Sequence, residues 1–396
     1  MSFGEEDNLA RLAQPTGQGT EGCVRSDVLI VGAGSAGSAL AMQCARAGLS
    51  VQVIERSEAD DAGAQWVNAV PGWAYDEARL ARPAAPELRG QVRRFHMVAG
   101  HGPETLVIEP REVFEIDMRL LIQRLRHEAA TAGARFAFGV RARELDAAGG
   151  LVTDAGTFYA PLVVDASGLR ASIFRPGSKP RPADLCAAAQ GIYQVTDGDA
   201  ARRFFERYGA AWHDTVCLAG VAGGFSVIVV RADGDDAVSI LAGSRPVRGY
   251  PSGARLIADF AAREGWVGER IFGGQAPIPL ASSGGPSRRQ VGAVTLLRFG
   301  DAAAHIFATH GSGVALHLAG SAIFGQEIAR LGPGAAAAVA IERQWRRRFG
   351  LLLGASGAFR RLSQHLRTGD VAWMIRRGVM RPPFVKMGLE QRFPWA

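Results

Sequence analysis

Cysteine is scarce in this 396-residue chain: Cys23, Cys44, Cys186 and Cys217 stand apart, with no CxxC spacing. That excludes a zinc ribbon or a disulfide framework as the organising element and fits reduced thiols in a cytoplasmic protein, with no metal site. No apolar run is long enough to cross a bilayer, since the longest, Leu218 to Val230, is broken by three glycines and a serine. The start, MSFGEEDNLARLAQPTGQGTEG, lacks the basic residues and apolar centre of a signal peptide and reads as a flexible leader over 1–24. Lysine is nearly missing: of 45 basic residues only Lys179 and Lys386 are lysines. Internal repeats are absent, and the one biased tract, the Ala-rich PGAAAAVA, reads as helix.

What is present is apolar mass. At 47% hydrophobic residues the chain can bury a large core, and its length suggests two interleaved or consecutive domains. The net charge of +7 belongs to the tail, where 13 Lys and Arg face 3 Asp and Glu from Arg330 onward. That tail interleaves arginines with Trp, Phe and Leu. It reads as a basic C-terminal helical cap over 331–396, with weak peripheral contact to a membrane surface as the alternative and no nucleic-acid partner.

The stretch Ser26–Glu55 reads as strand, glycine turn, helix and strand: DVLIV, a small-residue helix from Gly37 to Gly48, then VQVIE. About 56–110 follows as an irregular insertion holding Trp66, Trp73, Tyr75, His96 and His101. A helical pattern, MRLLIQRLRHEAATAG, precedes a hairpin-like LVTDAGTFYAP and a second parallel-type strand, LVVDASG. Alternating, β-branched runs such as TVCLAGV and GFSVIVV then predict an antiparallel sheet over 179–284. The expected architecture is α/β (α+β): a Rossmann-like nucleotide-binding domain, residues 25–178 and 285–330, with an inserted antiparallel β-sheet substrate domain and C-terminal helices.

In VGAGSAGSALAM, Gly32, Gly34 and Gly37 permit a tight turn, close approach of a pyrophosphate and close helix–strand contact, and Ala36 keeps the helix start small. The helix N-terminus offers N–H groups and a positive dipole to phosphate. Glu55, 18 residues after Gly37 and followed by Arg56, can accept hydrogen bonds from both ribose hydroxyls of an adenosine, and its charge disfavours a 2′-phosphate, which leaves NAD or FAD.

Two later stretches choose between them. Asp165-Ala-Ser-Gly168 follows the strand LVV, and Gly300-Asp301-Ala302-Ala303 follows TLLRF, with His310-Gly311-Ser312-Gly313-Val314 opening a helix. With the N-terminal glycines, these resemble the three motifs of the FAD-dependent p-hydroxybenzoate hydroxylase superfamily. In form they are most similar to geranylgeranyl reductases and flavin-dependent halogenases. The resemblance spans roughly 27–349 and implies FAD, with NAD(P)H or another reductant as electron donor. It implies Asp165 and Gly168 on the pyrophosphate side, Asp301 on the ribityl hydroxyls, and the Gly311–Val314 backbone at the flavin N1–C2=O edge with His310 beside it. An acid at a strand end and a helix N-terminus suit those two tasks independently.

The chain also departs from the family. The arginine that relatives place at the start of the helix after the insertion falls on Met118, leaving Arg111 or Arg119 as substitutes, and Ala308 stands where relatives carry proline. The tryptophan-halogenase WxWxIP motif and essential lysine are missing: Gly72-Trp-Ala-Tyr75 has no second tryptophan, and no lysine precedes Lys179. The cysteine motif of many archaeal prenyl reductases is not visible either. The favoured expectation is a monooxygenase of secondary metabolism that hydroxylates a bulky apolar or aromatic metabolite with O2 through a flavin C4a-hydroperoxide. The alternative is a reductase that saturates prenyl C=C bonds. A non-redox binding protein that merely keeps the fold is disfavoured by the intact Gly32, Gly34, Gly37, Glu55 and Asp301.

Overall fold

Strand β2 (Val28–Val31) is buried along its whole length, and that is possible only because it is covered on both faces. It pairs in parallel with β3 (Val51–Ile54) and with β13 (Leu162–Asp165), with Val31 opposite both Ile54 and Asp165. The six-stranded sheet of this computed structural model runs β19 (Arg288–Val291), β20 (Val294–Arg298), β13, β2, β3, β9 (Arg135–Ala137). The structure describes residues 24–393 apart from 178, 246–248 and 282–284, so all but the last residue of the expected leader lies outside the described residues.

Alternation along the strands builds two cores. Val28 and Ile30 face the helices α1 (Ser35–Arg46), α3 (Met118–Thr131), α6 (Val314–Leu331) and α7 (Ala335–Ser363). Leu29 and Val31 face a second cluster with Leu151 and Phe158, beneath a small sheet of β1 (Val24–Arg25), β12 (Gly156–Tyr159), β11 (Gly150–Thr153) and β10 (Ala142–Leu145).

The segment expected as an irregular insertion is ordered into strands. A three-stranded sheet joins β4 (Val67–Pro71), β8 (Val113–Asp117) and β5 (Leu88–Gln91). β6 (Phe95–Ala99) and β7 (Thr105–Ile108) extend the large antiparallel sheet instead, giving the order β18 (Val267–Pro279), β14 (Leu185–Val195), β17 (Ala237–Ser244), β16 (Ser226–Ala232), β15 (Thr215–Ala219), β6, β7. The joint is a parallel pairing of Phe95–Ala99 with Thr215–Ala219. A parallel partner about 120 residues downstream leaves no mark in local periodicity, so the sheet's true extent does not show in the chain order.

One face of this sheet is closed by α4 (Gly198–Arg207) and α5 (Gly253–Glu264), which bury Phe204, Phe205, Phe260 and Trp266 against Val216, Ile228 and Ile240. Its other face turns towards the C-terminal helices, α7, α8 (Thr368–Arg376) and α9 (Pro382–Glu390). These are more than a surface cap. Trp345 and Phe349, read in the sequence as part of an amphipathic basic stretch, are buried in the main core, where the Trp345 ring stacks on His305 at a centroid distance of 3.8 Å.

Candidate functional site

The nucleotide turn behaves as its three glycines demand. Gly32 adopts φ +106°, and a Cβ there would lie 2.4 Å from the Ala166 carbonyl oxygen; at Gly37 it would lie 1.8 Å from the Gly32 oxygen. Both positions are closed to any side chain. Gly34 differs: its Cβ direction is open, with nothing nearer than the Gly63 Cα at 4.0 Å. It opens α1 with no side-chain cap, so the first-turn N–H groups remain available to an anion. The Glu55 carboxylate accepts from the Ala33 N–H at 2.8 Å and the Ser57 N–H at 2.9 Å, which fixes an acid beside the turn; Arg56 is exposed.

A second uncapped helix N-terminus lies next to the first. Gly313 precedes α6 and supplies no side-chain cap. The Ser35 hydroxyl and His317 Nδ1 share a hydrogen bond of 3.0 Å that ties the first turns of α1 and α6 together. His317 Nε2 lies 3.5 Å from Asp301 Oδ1. Asp301 sits in the short 3-10 turn Gly300–Ala303; Gly300 has φ +66°, and its Cβ would meet that of Ala36 at 2.5 Å. Ser35, Ala36, Gly300, Asp301 and Gly313 therefore form one continuous rim. Two uncapped helix ends, the open space at Gly34 and two carboxylates able to accept from hydroxyls fit a flavin dinucleotide: phosphates at the helix ends, sugars at Glu55 and Asp301.

Three expected cofactor contacts are engaged within the chain. The Asp165 carboxylate is fully buried and used within its own loop: it accepts from the Ser167 N–H and hydroxyl, from the Ile173 N–H at 3.0 Å and from the Phe174 N–H at 2.8 Å. It organises the turn holding Gly168, which lies beside Gly32 of the glycine turn through Ala166. Arg111 lies against the last helix, its N–H donating to Glu390 Oε1 at 2.8 Å. Arg119 is held by Asp117, with its guanidinium 3.8 Å from the Phe272 ring centroid. The arginine that reaches the glycine turn is Arg126, not singled out in the sequence: its guanidinium donates to the carbonyls of Ala33, Ala59 and Ala62. Burial lowers its pKa to about 10, with Glu55 and Asp60 opposing, so it remains a cation at neutral pH. The signal that could have found it is the i+8 spacing from Met118 on one helix face.

The rim opens on a cavity of about 350 Å³ between the large sheet and the C-terminal helices, with His310, Gly311 and Ser312 in its wall. Its floor is made of small and aliphatic side chains, among them Cys186, Ala188, Cys217, Val229 and Leu241. Burial raises both thiols to about 12, which leaves them as inert packing groups. Burial lowers the His310 pKa to about 4 and that of His305 well below its usual value, so both imidazoles are neutral at pH 7. Of the five aromatic and histidine residues named in the 56–110 segment only Trp66 lines the cavity; His96 is turned away towards Asp214 and the Tyr208 carbonyl.

This is the FAD-binding Rossmann-like flavoprotein fold with an antiparallel sheet and C-terminal helices. Residues 27–112 match the family model for FAD dependent oxidoreductases. The structure is similar to a geranylgeranyl bacteriochlorophyll reductase-like protein from Thermoplasma acidophilum, at TM-score 0.75 and 16% identity over 94% of this chain and 93% of that one. It is also similar to pqsL, a probable FAD-dependent monooxygenase from Pseudomonas aeruginosa (TM-score 0.65, 15% identity, 89% of this chain and 100% of that one). A third similar structure is the flavin-dependent brominase Bmp2 (TM-score 0.64, 15% identity, 93% of this chain and 94% of that one). At 15–16% identity these likenesses are those of a shared fold. A search of curated proteins found no match. Among the described residues no helix is long and apolar enough to cross a membrane.

Proposed function

We propose that the protein is an FAD-dependent monooxygenase that hydroxylates a bulky, largely apolar or aromatic metabolite, using O2 and NAD(P)H or another reductant. The observation that carries the proposal is the junction of the apolar cavity with the turn His310–Gly313 at the uncapped N-terminus of α6. When bound, FAD supplies the redox chemistry, and the chain supplies placement and charge. The Glu55 carboxylate would accept from the adenosine ribose, and the α1 N-terminus would hold the pyrophosphate. Asp301, steadied by His317, would accept from the ribityl chain. The free N–H groups at Gly313–Ala315 would stabilise negative charge at the flavin edge. Neutral His310 adds no positive charge there and helps close the cavity to water. Halogenation is the less favoured reading, since no lysine is found among the described residues that line the cavity.

A second reading, a reductase acting on prenyl C=C bonds, is favoured by the long floor of small residues. Two measurements decide. A purified protein with a flavin spectrum establishes the cofactor. Anaerobic reduction followed by mixing with O2, in the presence of candidate substrates, then separates oxygen-dependent product from an alkene saturated without O2. Absence of bound flavin would overturn both readings.

A further inference from the structure

The cavity is apolar along most of its floor, but one end is polar. Four neighbouring strands each place a polar residue there: Gln190 on β14, Ser239 on β17, Arg231 on β16 and Thr215 on β15. Thr215 and Arg231 are directly paired across the ladder, as are Arg231 and Ser239. Gln190 and Ser239 satisfy each other: the amide Nε2 donates to Ser239 Oγ at 2.8 Å, and Gln190 Oε1 accepts from the Val67 N–H at 3.2 Å. The other pair is left open. Thr215, 2% exposed, has a hydroxyl with no hydrogen-bond partner, and Arg231, 7% exposed, has no hydrogen-bond partner for Nη2. Two adjacent unpaired polar groups in a dry wall are costly unless a ligand completes them.

The electrostatics select the ligand's head. Arg231 Nε lies 3.4 Å from Glu115 Oε1, and Nη2 lies 3.9 Å from Asp233 Oδ1, while Nη1 donates to the Ala232 carbonyl at 2.8 Å. Asp233 is also held by Arg89, so two guanidiniums and two carboxylates balance, and the remaining Arg231 N–H offers a hydrogen bond without a net positive field. A carboxylate or phosphate head would face Glu115 and be repelled, and an ammonium head would find an occupied carboxylate and a donor. An uncharged oxygen, hydroxyl or carbonyl, accepts from Arg231 and pairs with the Thr215 hydroxyl.

The opposite end carries the His310–Ser312 turn: a Cβ on Gly311 would lie 3.9 Å from Ile278 Cγ2, and Ile278 pairs with Cys186. Thr215, Arg231 and Ser239 lie in one cross-strand row that meets β14 at Ile192, six residues from Cys186 and about 20 Å along the strand. We propose that the cavity binds an elongated, uncharged amphiphile, its single oxygen-bearing end held by Thr215 and Arg231 and its apolar end directed towards the His310–Ser312 turn, about 20 Å away along the strands. The placement of the reacting end rests on the proposed function; the head preference does not, because it follows from the cavity alone.

The experiment titrates the purified full chain with three probes sharing one tail, 1-decanol, decanoate and decyltrimethylammonium, by calorimetry, with thermal unfolding of the ligand-free protein alongside. 1-Decanol is expected to bind at least tenfold more tightly than either charged probe. Thr215→Val should remove about tenfold of the decanol affinity, leave the charged probes unchanged and not lower Tm, since it deletes a hydroxyl that is unpaired without ligand. Arg231→Met, if it folds, should remove the preference for the uncharged head. Equal binding of the three probes, tighter binding of decanoate, or a Thr215→Val variant that loses Tm while keeping the probe order would overturn the inference. A protein that lacks flavin but keeps the decanol preference would instead overturn the redox reading alone.

Discussion

His317 Nδ1 and the Ser35 hydroxyl lie 3.0 Å apart, joining the first turns of two helices across 282 residues of sequence. With Asp301 at 3.5 Å on the far side of the same ring, the imidazole sets the spacing between the expected phosphate and ribityl ends of the site. Replacing it by His317→Leu should break the tie to Ser35 and remove the ring beside Asp301, and so lower FAD affinity up to about tenfold, the order expected when one hydrogen bond that positions the site is lost. Flavin retained after gel filtration, measured by the ratio of 450 nm to 280 nm absorbance, reads this directly.

Glu55→Lys should be more severe. The carboxylate that accepts from Ala33 and Ser57 disappears, and a cation takes the place where ribose hydroxyls would donate. Loss of two charge-assisted hydrogen bonds at about 1.5–3 kcal/mol each predicts a largely flavin-free protein. Full occupancy with unchanged affinity in the variant would refute the assignment.

Gly313 has φ −112°, an ordinary backbone value. The constraint is space: a Cβ would lie 2.6 Å from the His305 oxygen and 2.8 Å from His317 Nε2. Gly313→Val should therefore displace the turn, lower the flavin midpoint potential and reduce turnover roughly 100-fold, the cost of one lost donor at a charge-stabilising site. The adenosine end should still bind. Redox titration of the variant is the check.

Acid should loosen the fold through the partly buried His310 and the buried His305. The folded pKa of His310, about 4, lies below its ordinary 6.5, so between those values the unfolded chain binds more protons and stability falls as pH drops through that window. The contribution is at most about 3 kcal/mol, and His305 adds an effect of the same sign. Unfolding at pH 7.5 and pH 4.5 should show a smaller pH dependence in His310→Gln than in the parent protein.

The C-terminal helices leave apolar side chains in solvent, including Trp373 at 52% and Phe384 at 40% exposure, among the arginines of the tail. Each basic residue near an anionic surface contributes about 1 kcal/mol. Salt-sensitive co-sedimentation with anionic vesicles is expected, weakened in Trp373→Ser. No sedimentation at low salt would leave the helices as a cavity wall alone.

The nucleotide half of the fold was legible because its signals are local: VLIV, the GAGSAG turn and Glu55 lie within one βαβ unit, and their spacing carries their geometry. The rest depends on residues distant in sequence. At Asp165 the motif shows an acid at a strand end but not the four groups that saturate it. Arg126 and His317 went unnoticed because their partners, Ala33 and Ser35, become neighbours only when α3 and α6 pack against the turn. The polar end of the cavity was equally hidden, since Thr215, Arg231, Ser239 and Gln190 align only through pairing of four strands.

The order of the central sheet also constrains how the chain is made. β13 lies between β2, 134 residues before it, and β20, which completes its other edge only at residues 294–298. As the polypeptide leaves the ribosome, β13 covers the first βαβ unit but its own far edge stays open throughout synthesis of the antiparallel sheet, whose β15–β16–β17 meander can close on its own. The candidate nucleotide site, which also needs Gly313 and His317, is thus complete only after about four fifths of the chain has been made, a natural point for chaperone engagement.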